Sequence, residues 1–205
     1  MNATDDTPGG PGASGCPFVQ RIWRYQLERF PLHQHAPLIA AFSYSALCFS
    51  CLLRVEKGDT FSMPGPFAAT VSFVACLGFF FQLRVADEFK DFDEDLAHRP
   101  YRPVQRGLVT LKELLALGVI VAAVQATLAW LLHPELLVLL GVTWAYFLLM
   151  SREFFVRRWL QRRPIAYLAS HMAIMPLIDL FATGCDWVVA GSRPSIIGLG
   201  LFLAS

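Results

Sequence analysis

The sequence predicts an all-α integral membrane bundle, with five complete transmembrane helices and a truncated sixth. Three observations lead there. Of 205 residues, 55% are hydrophobic and only 16% are charged, whereas a soluble domain carries roughly a quarter charged residues. The charges come in clusters parted by long apolar runs, the pattern of membrane spans and polar loops. The basic clusters also alternate along the chain, as loops on two sides of a membrane do. A mean hydropathy of +0.48 agrees with all three.

In chain order, residues 1–17 are rich in Gly, Pro and small polar residues and lack the basic start and apolar core of a secretory signal. They are expected to form a disordered cytosolic tail. Residues 18–35 interleave aromatic and aliphatic residues with Arg21, Arg24 and Arg29, which predicts a short amphipathic helix at the membrane surface. Spans follow at about 36–54, 66–84, 112–132, 134–150 and 164–183, within a single transmembrane domain over 36–205. His133 and Pro134 form so short a connection that the third and fourth spans make a tight antiparallel hairpin. A sixth apolar stretch begins near Ser195 and meets the chain end at Ser205, about half of the roughly 20 residues a span needs. The domain is therefore expected to be incomplete at its C-terminus.

Basic residues set the expected orientation. The amino-terminal segment holds 3, the loop 84–112 holds 6 and the loop 151–163 holds 5, together 14 of the 17. Arg54, Lys57 and Arg193 fall on or near the other side. Positive charge marks the cytosolic face, so the amino terminus and both large loops are expected in the cytosol.

Several function classes are excluded. The net charge is +1 and no basic patch is interleaved with aromatics, so nucleic acid is not an expected partner. Of Cys16, Cys48, Cys51, Cys76 and Cys185, only Cys48 and Cys51 form a C-x-x-C, and both lie inside an apolar run. They read as small packing residues, and no disulfide framework or cysteine metal site is implied.

The chemistry is concentrated between the second and third spans. Six of the 16 carboxylates lie in residues 87–95. Asp87, Asp91 and Asp95 are spaced i, i+4, i+8, which places them one turn apart on a single helix face. Like charges stacked that way repel, and a divalent cation offsets the repulsion. Oxygen donors in this pattern suit Mg²⁺, which takes one or two carboxylates with phosphate oxygens and water. Arg99, Arg102 and Arg106 follow at once, with Pro100 and Pro103 ending the helix and Gly107 permitting a turn. Arginine clamps phosphate through paired hydrogen bonds, so the segment reads as a diphosphate-binding constellation. The plainer reading is a solvated loop whose charges only set topology.

Residues 84–110 resemble the first aspartate-rich motif of the UbiA superfamily of intramembrane prenyltransferases. That motif runs N-D-x-x-D-x-x-x-D and is followed by R-P-x-x-x-G. Asp91 and Asp95 stand at its two later aspartates, Asp87 at its asparagine and Glu88 at the aspartate beside it. Arg102, Pro103 and Gly107 align without a gap, and Thr110 matches a Ser or Thr at the next helix start. The resemblance implies a larger helical bundle that moves an isoprenyl group from its diphosphate to an acceptor, assisted by Mg²⁺. It implies metal ligation by Asp87, Asp91 and Asp95, with Asp91 and Asp95 catalytic. It gives the diphosphate to Arg99 and Arg102, with Arg106 and Lys90 as weaker candidates. A second acidic loop after the sixth span, which family members carry, is not reached before Ser205. A chain ending there is expected to be a partial or inactive copy. Tyr146 and Arg152 loosely match a substrate-binding Tyr and basic residue of the family, but the loop 151–163 reads better as topology-setting arginines.

Within the fifth span Ser170, His171 and Asp179 are polar at membrane depth, and an interhelical hydrogen bond is the expectation for His171. The run Phe79–Phe81 reads as an isoprenoid-cavity lining or as lipid-facing packing. Phosphatidyl-type transferases place D-G and A-R inside their aspartate ladder, and neither occurs here. A non-catalytic transporter or assembly subunit whose acidic loop binds divalent cations is the alternative. It predicts metal binding without preference for isoprenyl diphosphates.

Overall fold

A computed structural model describes residues 17–192, residues 57 and 59 excepted. The expected tail and the sixth apolar stretch lie outside the described residues. Those described form α-helices and turns, with no strand among them. The helices are α1 (Phe18–Arg29), α2 (Leu32–Glu56), α3 (Pro66–Lys90), α4 (Phe92–His98), α5 (Leu111–Leu132), α6 (Leu136–Ser151), α7 (Arg157–Gln161), α8 (Pro164–Met172) and α9 (Ile174–Trp187). A 3-10 turn at Glu153–Phe155 joins α6 to α7.

Helix starts follow local chemistry. Proline stands at the first turn of α3 and of α8, where its missing N–H is one the helix could not satisfy. Thr110 caps α5 by accepting from the Glu113 N–H, while the Glu113 side chain accepts from the Thr110 N–H, a reciprocal box. The amphipathic helix is shorter than expected. It ends at Arg29, and α2 begins at Leu32, so the first long helix starts several residues early.

Four helices are long and apolar enough to cross a membrane: α2, α3, α5 and the run Pro164–Trp187. The last is broken at Ala173 into α8 and α9. The fourth expected span is α6, apolar but only 16 residues. At 1.5 Å per residue it is about 24 Å long, short of a hydrocarbon core of roughly 30 Å.

The α3 helix is the hub, packed against α2, α5, α6 and α9. Val71, Ala75, Cys76 and Phe79 from α3 meet Leu47, Leu136, Leu140, Ile178 and Phe181 in the main core. Two polar clusters inside the bundle are paired between helices. Gln82 Nε2 donates to Gln125 Oε1 at 2.9 Å, and Gln125 Nε2 donates to the Ala75 carbonyl at 2.9 Å. Gly78 leaves room for that amide, since a Cβ there would stand 2.8 Å from Gln125 Nε2. Where α2 ends beside the end of α9, Arg54 donates from Nε and Nη2 to the two Asp186 oxygens, each at 2.9 Å, and Ser50 adds a third bond at 2.7 Å. Asp186 is thus the anchor of the end remote from the aspartates. The run of three phenylalanines packs ring against ring, Phe79 on Phe181, Phe80 on Phe42 and Phe81 on Phe30.

Candidate diphosphate site

The ladder forms because the helical register survives a bend. Asp91 ends α3 and opens α4. Even so, the Asp91 N–H bonds to the Asp87 carbonyl at 2.9 Å, the Asp95 N–H to Asp91 at 2.8 Å, and the Arg99 N–H to Asp95 at 2.7 Å. Asp87, Asp91 and Asp95 therefore succeed one another by single helical turns.

Their surroundings differ. Asp87 is exposed, with Arg84 Nη1 3.8 Å away. Asp91 is half-buried, and its carboxylate enters no hydrogen bond or ion pair among the described residues. Asp95 is 2% exposed. Arg102 Nη1 bonds directly to its Oδ2, and Arg99 Nη1 lies 3.5 Å from its Oδ1. Asp95 is thus the buried acceptor onto which the two arginines fold, and its oxygens are taken. Among the described residues, no group of three or more His, Cys, Asp or Glu side chains is gathered to hold one ion. The two carboxylates of the ladder that could hold a cation are Asp87 and Asp91, one turn apart. That number suits Mg²⁺, which leaves further positions to phosphate and water.

The arginine segment turns back at Gly107, whose φ of 77° favours glycine. The Leu108 N–H closes the turn on the Pro103 carbonyl at 2.8 Å. Arg99 remains half exposed beside the ladder and Arg102 largely covered. Arg106 faces away, held by Glu28 at 2.6 Å and by the Tyr101 carbonyl at 3.0 Å. Lys90 points to the opposite flank, into a cluster of Glu153, Tyr167 and His171. That contact takes His171 across to α3. Tyr146 and Arg152 are not brought to the ladder. Tyr146 donates to the Ser170 carbonyl at 2.7 Å and packs on Phe154, while Arg152 is exposed at the end of α6.

Residue-type reasoning missed the support beneath the ladder. Glu88 is buried, and its Oε1 accepts from Arg29 Nε at 2.6 Å and from Arg84 Nη2 at 3.2 Å. Tyr25, 1% exposed, sits beside it in a small core with Val85, Val104, Leu108, Val109 and Leu114. Burial, and then the Glu88 charge, push the Tyr25 hydroxyl well up, so it stays neutral. Arg21 completes the docking of α1 by pairing with Glu113 at 2.5 Å. The signal available was the i, i+4, i+8 spacing of Arg21, Tyr25 and Arg29, which marks one face of α1.

A model of the UbiA prenyltransferase family matches residues 49–205, a stretch holding the ladder, the arginine turn and the Lys90 cluster, and leaving α1 outside. No curated protein matches the chain, and no solved structure does. A match over well more than half of the sequence, together with the all-helical bundle, settles one thing: the chain belongs to the UbiA prenyltransferase family.

Proposed function

We propose that this protein moves an isoprenyl group from its diphosphate to an acceptor with the help of Mg²⁺, at the cytosolic rim of a multi-pass membrane bundle. Family membership supports prenyl transfer in general. The observation that supports the finer reading is the pair Asp87 and Asp91, one helical turn apart, the first exposed and the second half-buried, with Arg99 and Arg102 held on Asp95 one turn further on. The excess of Lys and Arg in the loops on this side supports the cytosolic orientation. The apolar composition of α6 and the alternation of the basic loops support it as a fifth, short crossing.

Asp87 and Asp91 would hold the metal, which when bound supplies positive charge to the leaving diphosphate. Arg99, half exposed beside the ladder, donates to diphosphate oxygens, and Arg102 is aimed by its bond to Asp95. Asp95 contributes by fixing these donors before substrate arrives, so little reorganisation is left for the reaction. The allylic carbon–oxygen bond breaks with its electron pair leaving on the diphosphate. The acceptor then supplies the pair for the new carbon bond and loses a proton.

The test is pyrophosphate release from farnesyl diphosphate by the purified chain with Mg²⁺ and a panel of aromatic acceptors. Asp91→Asn is expected to lower release by about a hundredfold. Mg²⁺ binding that Asp91→Asn weakens, with no affinity for isoprenyl diphosphate, would instead establish a cation-binding transporter or assembly subunit.

A further inference from the structure

A second polar cluster lies on the flank of the ladder, where α3 meets the 3-10 turn and α8. An ammonium group carries three N–H donors. Lys90 Nζ lies against the Tyr167 hydroxyl, 3.1 Å from Glu153 Oε1 and 3.4 Å from His171 Nε2. Each donor thus has an acceptor within the protein. His171 Nδ1 stands 2.9 Å from the Tyr167 carbonyl and donates there, which leaves Nε2 as the acceptor facing Lys90. The Tyr167 and His171 rings stack with centroids 4.0 Å apart, and the ammonium lies 4.7 Å from the Tyr167 ring centre. Glu153 is 5% exposed. It opens a run of three non-glycine residues with positive φ, at 50°, 52° and 59°. Such a run persists only where the surroundings over-determine it, and the Lys90 contact supplies part of that restraint.

We propose that Lys90 is a positioning residue rather than a phosphate clamp. Pinned by the buried Glu153, it joins the end of α3 to Tyr167 and His171 as one rigid wall and so holds Asp87 and Asp91 in place. Glu153 is its partner in that role, and its burial keeps it from touching a ligand. The proposal rests on the diphosphate reading of the ladder.

The experiment measures binding of inorganic pyrophosphate with Mg²⁺ to the full chain in detergent micelles. The proteins are wild type, Lys90→Met, Glu153→Gln, the double variant and the charge swap Lys90→Glu with Glu153→Lys. Each single variant is expected to bind about tenfold more weakly. The double variant should bind no more weakly than either single one. The swap should recover only part of the affinity, because a lysine at 153 also meets Arg157, whose Nε lies 3.4 Å from Glu153 Oε2. Normal binding by Glu153→Gln beside weak binding by Lys90→Met would mean that Lys90 touches phosphate, and would overturn the proposal. So would additive losses, or variants that melt earlier while their folded fraction binds as wild type does. Tyr167→Phe keeps the ring and removes one acceptor. It should bind about threefold more weakly, and unchanged affinity there overturns the proposal even if Glu153→Gln does not fold. Wild-type protein that fails to bind Mg²⁺ with pyrophosphate would end the diphosphate reading itself, and this proposal with it.

Discussion

A charge inside an apolar slab is tolerable only with its partner, and Arg54 makes the dependence measurable. Its side chain and that of Asp186 are 9% and 3% exposed and meet through two hydrogen bonds. Arg54→Ala leaves Asp186, among the described residues, with the Ser50 hydroxyl and is expected to cost about 3–5 kcal/mol. Thermal unfolding in detergent checks this, and Arg54→Met with Asp186→Leu should recover most of the loss. Gly78 tests the opposite fault, too little room. Gly78→Ala pushes a methyl against the Gln125 amide, already committed to Ala75, and should cost about 1–3 kcal/mol. Adding Gln125→Ala should make the combined loss smaller than the sum of the two, as coupled neighbours require. Neither pair is legible from residue type, because Gln, Arg and Asp are readable in a sequence only as polar, and their partners lie 43 and 132 positions away.

The elements were legible to different degrees. Long apolar runs located α2, α3 and α5, since the apolar length a bilayer demands leaves little choice, although α3 runs six residues past its expected end into the acidic segment. The shortening of α1 and the early start of α2 were not, because Leu32–Pro37 is equally compatible with either side of a break. More consequential is where α1 goes. Its Arg21, Tyr25 and Arg29 face the ladder's foundation, and Glu28 holds Arg106, so the amphipathic helix is also a brace across the arginine turn. Val19, Trp23 and Leu27, also four apart, form its exposed stripe. Arg29→Ala removes the closest partner of the buried Glu88 carboxylate and should cost about 2–3 kcal/mol. Faster hydrogen exchange over residues 18–29 and 99–108 is the expected signature, and unchanged exchange in both would show that α1 braces nothing.

At the level of the whole molecule, ion pairs draw α1, the acidic segment and the α6–α8 connection to one end, with Arg29 on Glu88 and Lys90 on Glu153. The Arg54–Asp186 anchor lies at the other. Labelling in proteoliposomes tests this arrangement in a cysteine-free background. Tyr101→Cys and Arg158→Cys, both at exposed positions, should label from one side, and Glu135→Cys from the other. Labelling of Tyr101→Cys and Arg158→Cys from opposite sides would contradict it.

Apolar run length, the alternation of basic loops and the i, i+4, i+8 aspartates were enough to place this chain in a membrane, choose its fold class and point to its acidic segment. Each is a one-dimensional property, written in spacing along the chain. The partners of the charges were not written there. That Asp95 is covered by Arg102 and Arg99, that Glu88 rests on Arg29, and that Lys90 turns to Glu153 and away from the arginines all depend on how helices distant in sequence meet. A buried charge takes whichever opposite charge packing brings within reach, and packing is settled by the three-dimensional fit of α1, α3 and α8.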